Sequence, residues 1–140
     1  MDNKHKKLVK PISLDQIEVR ILQVLRHRPF FSRADIVDAT GLSRARVNQV
    51  LTALRRTNLI APCKTGDSTG GRPPMLFSFN KQARYVVGMD LGATACRIGI
   101  TNLAGEPLAL QEEALDIKLG PELVLAQALT IVRDLLRQQE

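Results

Sequence analysis

The sequence predicts an α+β protein built from two modules, and three observations support that prediction. Apolar residues recur every three to four positions up to about Asn58, which is the period of amphipathic helices. From Tyr85 the pattern changes to short strand-like runs separated by glycine-containing turns. The charge changes as well: residues 1–84 carry 16 basic and 6 acidic side chains, whereas residues 85–140 carry 4 and 8.

The composition excludes several classes of protein. The 140 residues, 44% of them hydrophobic, are enough for one ordinary domain or two small ones. No apolar run is long enough to span a membrane. Cys63 and Cys96 lie far apart, outside any CxxC pattern, which argues against a disulfide scaffold or a zinc site. We therefore expect a cytoplasmic protein with no metal, no cofactor and no membrane contact.

The first helix follows a basic flexible arm at residues 1–12. Ser13 and Gln16 have the spacing of a capping box, in which each side chain hydrogen-bonds a backbone amide of the first helical turn. Pro29 is expected to end the helix, and Phe30 with Phe31 to form a short apolar link.

Two further helices are predicted on either side of a sharp corner. Ser32 and Asp35 have the capping-box spacing at the start of the second helix, and Ser43 caps a third that runs to about Asn58. Gly41 lies between them, where a left-handed residue turns the chain tightly. A short helix, a glycine corner and a second amphipathic helix are typical of a helix-turn-helix.

A basic glycine-rich loop at residues 64–74 follows these helices. Leu59 and Ile60 predict a short strand broken by Pro62, and residues 75–79 predict a second strand after the loop. Residues 13–80 are therefore predicted to form a winged helix-turn-helix, with residues 81–84 as a linker.

The exposed side of the third helix carries the candidate DNA contacts. Arginine can hydrogen-bond guanine through two donors, and glutamine or asparagine can bind adenine through a donor and an acceptor. Base contacts are predicted for Arg44, Ala45, Arg46, Asn48 and Gln49. Phosphate contacts are predicted for Ser32, Arg33, Ser43 and Arg55. Arg72, in the Gly-Arg-Pro part of the loop, is predicted to enter the minor groove.

The second module, residues 85–140, is predicted as a three-stranded meander followed by one helix. The strands are Tyr85–Leu91, Ala95–Asn102 and Pro107–Ala114, and Pro121 begins the helix. Asp90, Gly92 and Thr94 surround the first turn, where glycine allows a phosphate to approach and threonine can bind its oxygens. The same residues would suit an ordinary hairpin turn.

The segment VVGMDLGATACRIGITNLAGEPL after Tyr85 resembles the first phosphate-binding hairpin of the ROK family of repressors, open reading frames and kinases. The repressor branch of that family also carries a winged helix with a Gly-Gly-Arg-Pro-Pro-like wing. The resemblance implies that residues 85–140 are an incomplete actin-like, sugar-kinase-like ATPase subdomain. It also implies vestigial phosphate binding at Asp90, Gly92 and Thr94, with Ala93 in place of the usual second glycine.

These observations predict a sequence-specific regulator, most simply a repressor of carbohydrate-utilisation genes, that binds a double-stranded DNA operator as a homodimer. The family's sugar-contacting and catalytic residues do not occur in this sequence, so we expect no enzyme, a regulator truncated after the first part of the ROK domain, and a sugar effector only in a full-length form. One alternative is a sugar-kinase or sugar-binding fragment. Another is a protein-interaction module that uses the acidic C-terminal part.

Overall fold

A computed structural model describes residues 12–65 and 73–139, with residues 64 and 65 described by their backbone alone. The chain divides into two compact units, one ending at Phe79 and one beginning at Asn80. Residues 1–11 of the predicted arm at 1–12 and the wing residues 66–72, Arg72 among them, lie outside the described residues.

The first unit contains three helices and a small antiparallel sheet. The helices are α1 (Gln16–Arg26), α2 (Arg33–Thr40) and α3 (Arg44–Arg56). The strands are β1 (Phe31–Ser32), β2 (Ile60–Thr65) and β3 (Met75–Phe79), in the sheet order β1-β3-β2. All three helices and all three strands contribute to the apolar core of this unit. Its buried side chains are Ile21, Leu22, Leu25, Phe31, Ile36, Val47, Val50, Leu51, Leu54, Leu59, Ile60 and Phe77.

Helix α1 begins two residues later than the capping pattern at Ser13 predicts, because its N-cap is Asp15. The Asp15 carboxylate accepts from the backbone N–H of Glu18 at 2.7 Å, while the Glu18 carboxylate accepts from the backbone N–H of Asp15 at 2.9 Å. Two negatively charged acceptors at the positive end of a helix stabilise it more than the neutral Ser13–Gln16 pair would. The helix also ends before Pro29, at Arg26.

Strand pairing corrects two further predictions. Phe31 belongs to a strand rather than a link, because it pairs with Phe77 of β3. Pro62 does not end a strand: it lies inside β2 opposite Phe77, and the register shifts between Pro62 and Thr65. A proline is tolerated there because β2 is an edge strand, where the missing N–H interrupts no second ladder.

The second unit is the predicted antiparallel meander with its helix. Strands β4 (Tyr85–Leu91), β5 (Ala95–Asn102) and β6 (Pro107–Ala114) pair in that order. A single 3₁₀ turn at Ile117–Leu119 leads into α4 (Pro121–Arg137). The core lies between β5 and α4, and consists of Cys96, Ile98, Ile100, Leu115, Val124, Ala128 and Leu135. The α+β fold predicted from the sequence is therefore confirmed.

The turn between β5 and β6 is organised by a buried polar residue, Asn102. Its amide oxygen accepts from the backbone N–H groups of Ala104 at 2.9 Å and Glu106 at 3.1 Å, and its amide nitrogen donates to the Glu106 carboxylate at 2.7 Å. Lys81 donates to the other oxygen of Glu106 at 2.7 Å. These contacts lower the pKa of Glu106, through Lys81 first and Asn102 second.

Candidate nucleic-acid interface

The corner between α2 and α3 sets the direction of α3. Gly41 has a φ of +68°, and its N–H donates to the carbonyl oxygen of Val37 at 2.8 Å. A side chain is disfavoured at this φ, which explains why glycine occupies the corner. Ser43 follows as the N-cap of α3, and its hydroxyl oxygen accepts from the backbone N–H of Arg46 at 3.2 Å. Three residues, 41–43, therefore separate α2 from α3, and Ser43 caps α3 as predicted.

Helix α3 has one buried and one exposed side. Val47, Val50, Leu51 and Leu54 are all at most 3% exposed, so they fix the helix against the core of the first unit. The opposite side carries no large apolar residue and is exposed to solvent. Its members are Ala45, Asn48, Gln49, Thr52, Arg55 and Arg56, with Arg44 exposed at the first turn.

A basic groove lies along one flank of α3, beside the start of α2. Its two parts have volumes of about 290 Å³ and about 370 Å³. Within the described residues, its three arginines form no ion pair, so their positive charges are available to an anionic partner. We call this the α2–α3 groove; it is lined by Arg33, Ala34, Val37, Arg44, Asn48, Leu51, Thr52, Arg55 and Phe77.

Arg33 is held in the groove by the aromatic ring of Phe77. The centre of its guanidinium lies 5.0 Å from the ring centroid, within the range of a cation–π contact. The Phe77 side chain is fully buried, so the ring is a fixed platform. A guanidinium stacked in this way keeps its N–H donors at its edge, where they can bind a phosphate oxygen.

The opposite flank of α3 carries a different arrangement, which includes an acidic residue. Arg46 Nη1 donates to Gln49 Oε1 at 2.8 Å, and Arg46 Nη2 lies 3.4 Å from Asp15 Oδ2 at the N-terminus of α1. Arg46 is thus the one arginine of α3 with an ion pair among the residues that the structure describes. We call these three residues the Arg46 network.

The structure gives the predicted contact residues different surroundings. Arg33, Arg44, Asn48 and Arg55 line the α2–α3 groove, Arg46 and Gln49 belong to the Arg46 network, and Ala45 lies exposed on the remaining side. Ser32 and Ser43 are helix caps, so one lone pair of each hydroxyl oxygen is occupied while the hydroxyl hydrogen remains a donor.

Sequence reasoning missed Asp15 and Phe77 at this surface. Asp15 lies 31 residues before Arg46, and Phe77 lies on β3, far along the chain from Arg33. No local spacing pattern contains such contacts. The helical period does place Thr52 on the exposed side of the third helix, although Thr52 is not among the predicted DNA contacts.

The three phosphate-motif residues of the second unit surround the first turn of the meander. Asp90 pairs with Arg97 across the two strands, and the N–H of Gly92 donates to the carbonyl oxygen of Ala95 at 2.9 Å. A Cβ atom at Gly92 would lie 3.1 Å from that oxygen, so this tight turn favours glycine. Thr94 is exposed, and its carbonyl oxygen accepts from the N–H of Leu115. The pairing of β4 with β5 and the hydrogen bonds of the turn thus explain the backbone conformation at Asp90, Gly92 and Thr94.

Arg97 is bound to Glu112 on the same face of the sheet. The Arg97 Nε donates to a Glu112 carboxylate oxygen at 2.9 Å, which lowers the pKa of Glu112 and raises that of Arg97. Within the described parts of the chain, no three His, Cys, Asp or Glu side chains lie together as a metal site would require. No helix between residues 12 and 65 or 73 and 139 is long and apolar enough to cross a bilayer.

Comparison with known proteins identifies the first unit. Residues 14–61 match the family model described as winged helix-turn-helix DNA-binding. The chain is 33% identical over 94 residues to the xylose repressor of Bacillus spizizenii, and the aligned region covers 67% of this chain and 24% of that protein. It is 34% identical over 83 residues to the xylose repressor of Bacillus subtilis, which covers 59% of this chain and 21% of that protein.

A solved structure extends the likeness to both units. The crystal structure of a ROK family transcriptional regulator, a homologue of the E. coli MLC protein, aligns with 87% of this chain and 31% of its own, with a TM-score of 0.63 and 20% identity. At that identity the match shows the fold. The chain is therefore similar in sequence to xylose repressors, and it shares the fold of a ROK family transcriptional regulator. The chain spans about a quarter of the length of the curated relatives it matches.

Proposed function

We propose that this chain binds a double-stranded DNA operator in a sequence-specific way and represses genes of sugar utilisation. The observation that carries the proposal is α3: its apolar stripe is buried, its polar side is exposed, and one flank is a groove with three arginines. Two of the relatives are named as xylose repressors, which supports the sugar-related role.

The N-terminal half of α3 enters the major groove in this proposal. A helix is about 10–12 Å wide with its side chains, which matches the major-groove width of about 12 Å. Ala45 and Gln49 then face the base edges, with Arg44, Arg46 and Asn48 beside them. Ser32, Arg33, Ser43 and Arg55 contact the phosphates, and Arg72 is proposed to enter the minor groove.

The chain acts as a homodimer on a palindromic operator in the same proposal. Two copies would place their α3 helices one turn of DNA apart, which is about 34–36 Å or a multiple of it. A sugar effector is proposed only for a longer form of the protein. The second unit, which aligns with part of a ROK regulator, would connect that effector to the DNA-binding unit.

Catalysis is not part of the proposed function. The relatives described above are named as repressors or regulators. The exposed Asp90 lies across from Arg97, and the backbone around Gly92 and Thr94 belongs to the hairpin. A measurement of sugar-dependent ATP hydrolysis by the purified chain tests this directly, and turnover above that of a Thr94→Ala variant would contradict it.

Binding to DNA is tested by fluorescence anisotropy with the purified 140-residue chain. A labelled duplex that carries the site selected by the chain from a random library is titrated at about 150 mM salt, and a shuffled duplex of equal length is the control. Specific regulators prefer their site by about 10³-fold or more over random DNA. Equal affinity for the two duplexes would refute sequence-specific binding.

A further inference from the structure

The Arg46 network joins the recognition helix to the start of α1. Asp15 has two carboxylate oxygens with different partners: Oδ1 accepts from the backbone N–H of Glu18 at 2.7 Å, and Oδ2 lies 3.4 Å from Arg46 Nη2. Capping α1 needs only the first contact. The second contact restrains a side chain on the surface that is proposed to bind DNA.

The hydrogen bonds of the network determine what it can offer to a base. An arginine has five N–H donors, of which one on Arg46 is directed to Gln49 and one to Asp15, so three remain. Gln49 uses its amide oxygen to accept from Arg46, and its amide nitrogen keeps two donors. Arg46 and Gln49 together therefore present mainly donors.

A donor-rich pair favours one base over the others. Guanine exposes two acceptors, N7 and O6, in the major groove, whereas adenine exposes one acceptor and one donor. Gln49 would bind adenine through both its oxygen and its nitrogen, yet one of the two lone pairs of that oxygen already accepts from Arg46, so the amino group of adenine would have to share this oxygen with Arg46. The contacts in the structure thus favour guanine at the base pair that these two side chains meet.

We propose that Arg46 and Gln49 select guanine as a unit, and that Asp15 is a positioning residue which sets this preference by holding Arg46. The inference rests on the proposed DNA binding and specifies what it recognises. Holding a flexible arginine in place before DNA arrives reduces the conformational entropy that binding would otherwise remove. Asp15 thereby influences base choice through another residue.

The test compares two variants that remove one negative charge each from the same helix terminus. Asp15→Asn keeps a good N-cap residue but loses the carboxylate that faces Arg46. Glu18→Gln keeps the capping-box acceptor and does not touch Arg46. Both purified chains, with the wild type and Arg46→Ala, are used to select preferred sites from a random duplex library. Thermal unfolding by circular dichroism checks that each variant is folded.

We expect the wild type and Glu18→Gln to select guanine at one position of each half-site. Arg46→Ala should reduce the preference for guanine there by about 5- to 160-fold, the usual value of a two-bond contact to a base. Asp15→Asn should reduce it at least about threefold at that same position, while other positions are unchanged.

Three outcomes would overturn the inference. One is a preference for adenine at the position that Arg46→Ala alters. Another is an equal preference for guanine in Asp15→Asn and Glu18→Gln, which would show that Asp15 acts only through its negative charge and not through its contact with Arg46. A wild-type chain that selects no sequence would refute the proposed function as well, whereas the first two outcomes leave that function intact.

Discussion

The α2–α3 groove makes a quantitative prediction about the salt dependence of DNA binding. Arg33 and Arg55 line the groove, and neither has an ion-pair partner among the described residues. Each arginine that neutralises a phosphate releases counterions, which contributes about −0.9 to the slope of log K against log salt concentration. Changing both to glutamine should therefore make the slope less steep by about 1.8.

This slope difference has a measurable consequence for affinity. Between 50 and 200 mM salt the wild type should lose affinity about twelvefold more than the Arg33→Gln/Arg55→Gln variant does. Preference for the operator over shuffled DNA should change little, because phosphate contacts carry no direct sequence information. Anisotropy titrations at four salt concentrations measure both quantities.

A matched variant distinguishes local contacts from net charge. Arg133→Gln/Arg137→Gln removes the same number of positive charges from exposed positions on α4. If the groove arginines contact phosphates, the α4 variant keeps a slope within about 0.5 of the wild type. An unchanged slope in the groove variant, or an equal change in the α4 variant, would refute the assignment of Arg33 and Arg55.

Four further predictions concern the stability of the two units. Gly41→Val should destabilise the first unit by about 1–2 kcal/mol and weaken DNA binding, because its φ of +68° disfavours a side chain; Gly41→Asn should cost less, and chemical denaturation of both measures the difference. Leu54→Ala should lower the free energy of unfolding by about 2–5 kcal/mol, since the side chain is fully buried, and an undiminished melting temperature would contradict this. Asn102→Ala should destabilise the second unit by about 1–3 kcal/mol, because buried polar contacts at Glu106 and its turn are lost, as hydrogen exchange of the turn amides can test. Because the pKa of Glu106 is lowered in the folded chain, its contacts stabilise the second unit fully above pH 4.5, the ordinary pKa of a glutamate. This stabilisation is lost as the pH falls through the lower pKa of the folded state. Lys81→Met should remove most of this pH dependence, which acid titrations followed by circular dichroism measure.

Local patterns predicted most of the second unit because its contacts are between neighbouring segments. The three strands of the meander have the predicted bounds, since glycine turns separate runs that pair with the next run along the chain. The buried stripe of α3 and the corner at Gly41 were predicted for the same reason, as both depend on spacing within about one helical turn.

Elements that depend on distant partners were predicted less well. Two capping patterns overlap at the start of α1, and the charged pair of Asp15 and Glu18 determines the boundary instead of Ser13. Phe31 becomes a strand residue only because β3, far along the chain, pairs with it. Pro62 is accommodated because its strand lies at the edge of the sheet, and sequence position alone does not reveal edges.

The sequence by itself determined the two modules, the helix-turn-helix with its buried stripe, and the residue types proposed to meet DNA. Periodicity, caps and charge are properties of short segments, so they can be recognised without knowing the fold. Only the tertiary structure decided how those residues are divided: Arg33 stacks on Phe77 beside Arg55 in a basic groove, and Arg46 lies between Asp15 and Gln49. The hydrogen-bond donors that a side chain can offer to DNA depend on its neighbours in the folded chain. Two of those neighbours, Asp15 at the start of α1 and Phe77 on β3, are distant in sequence from the residues they contact.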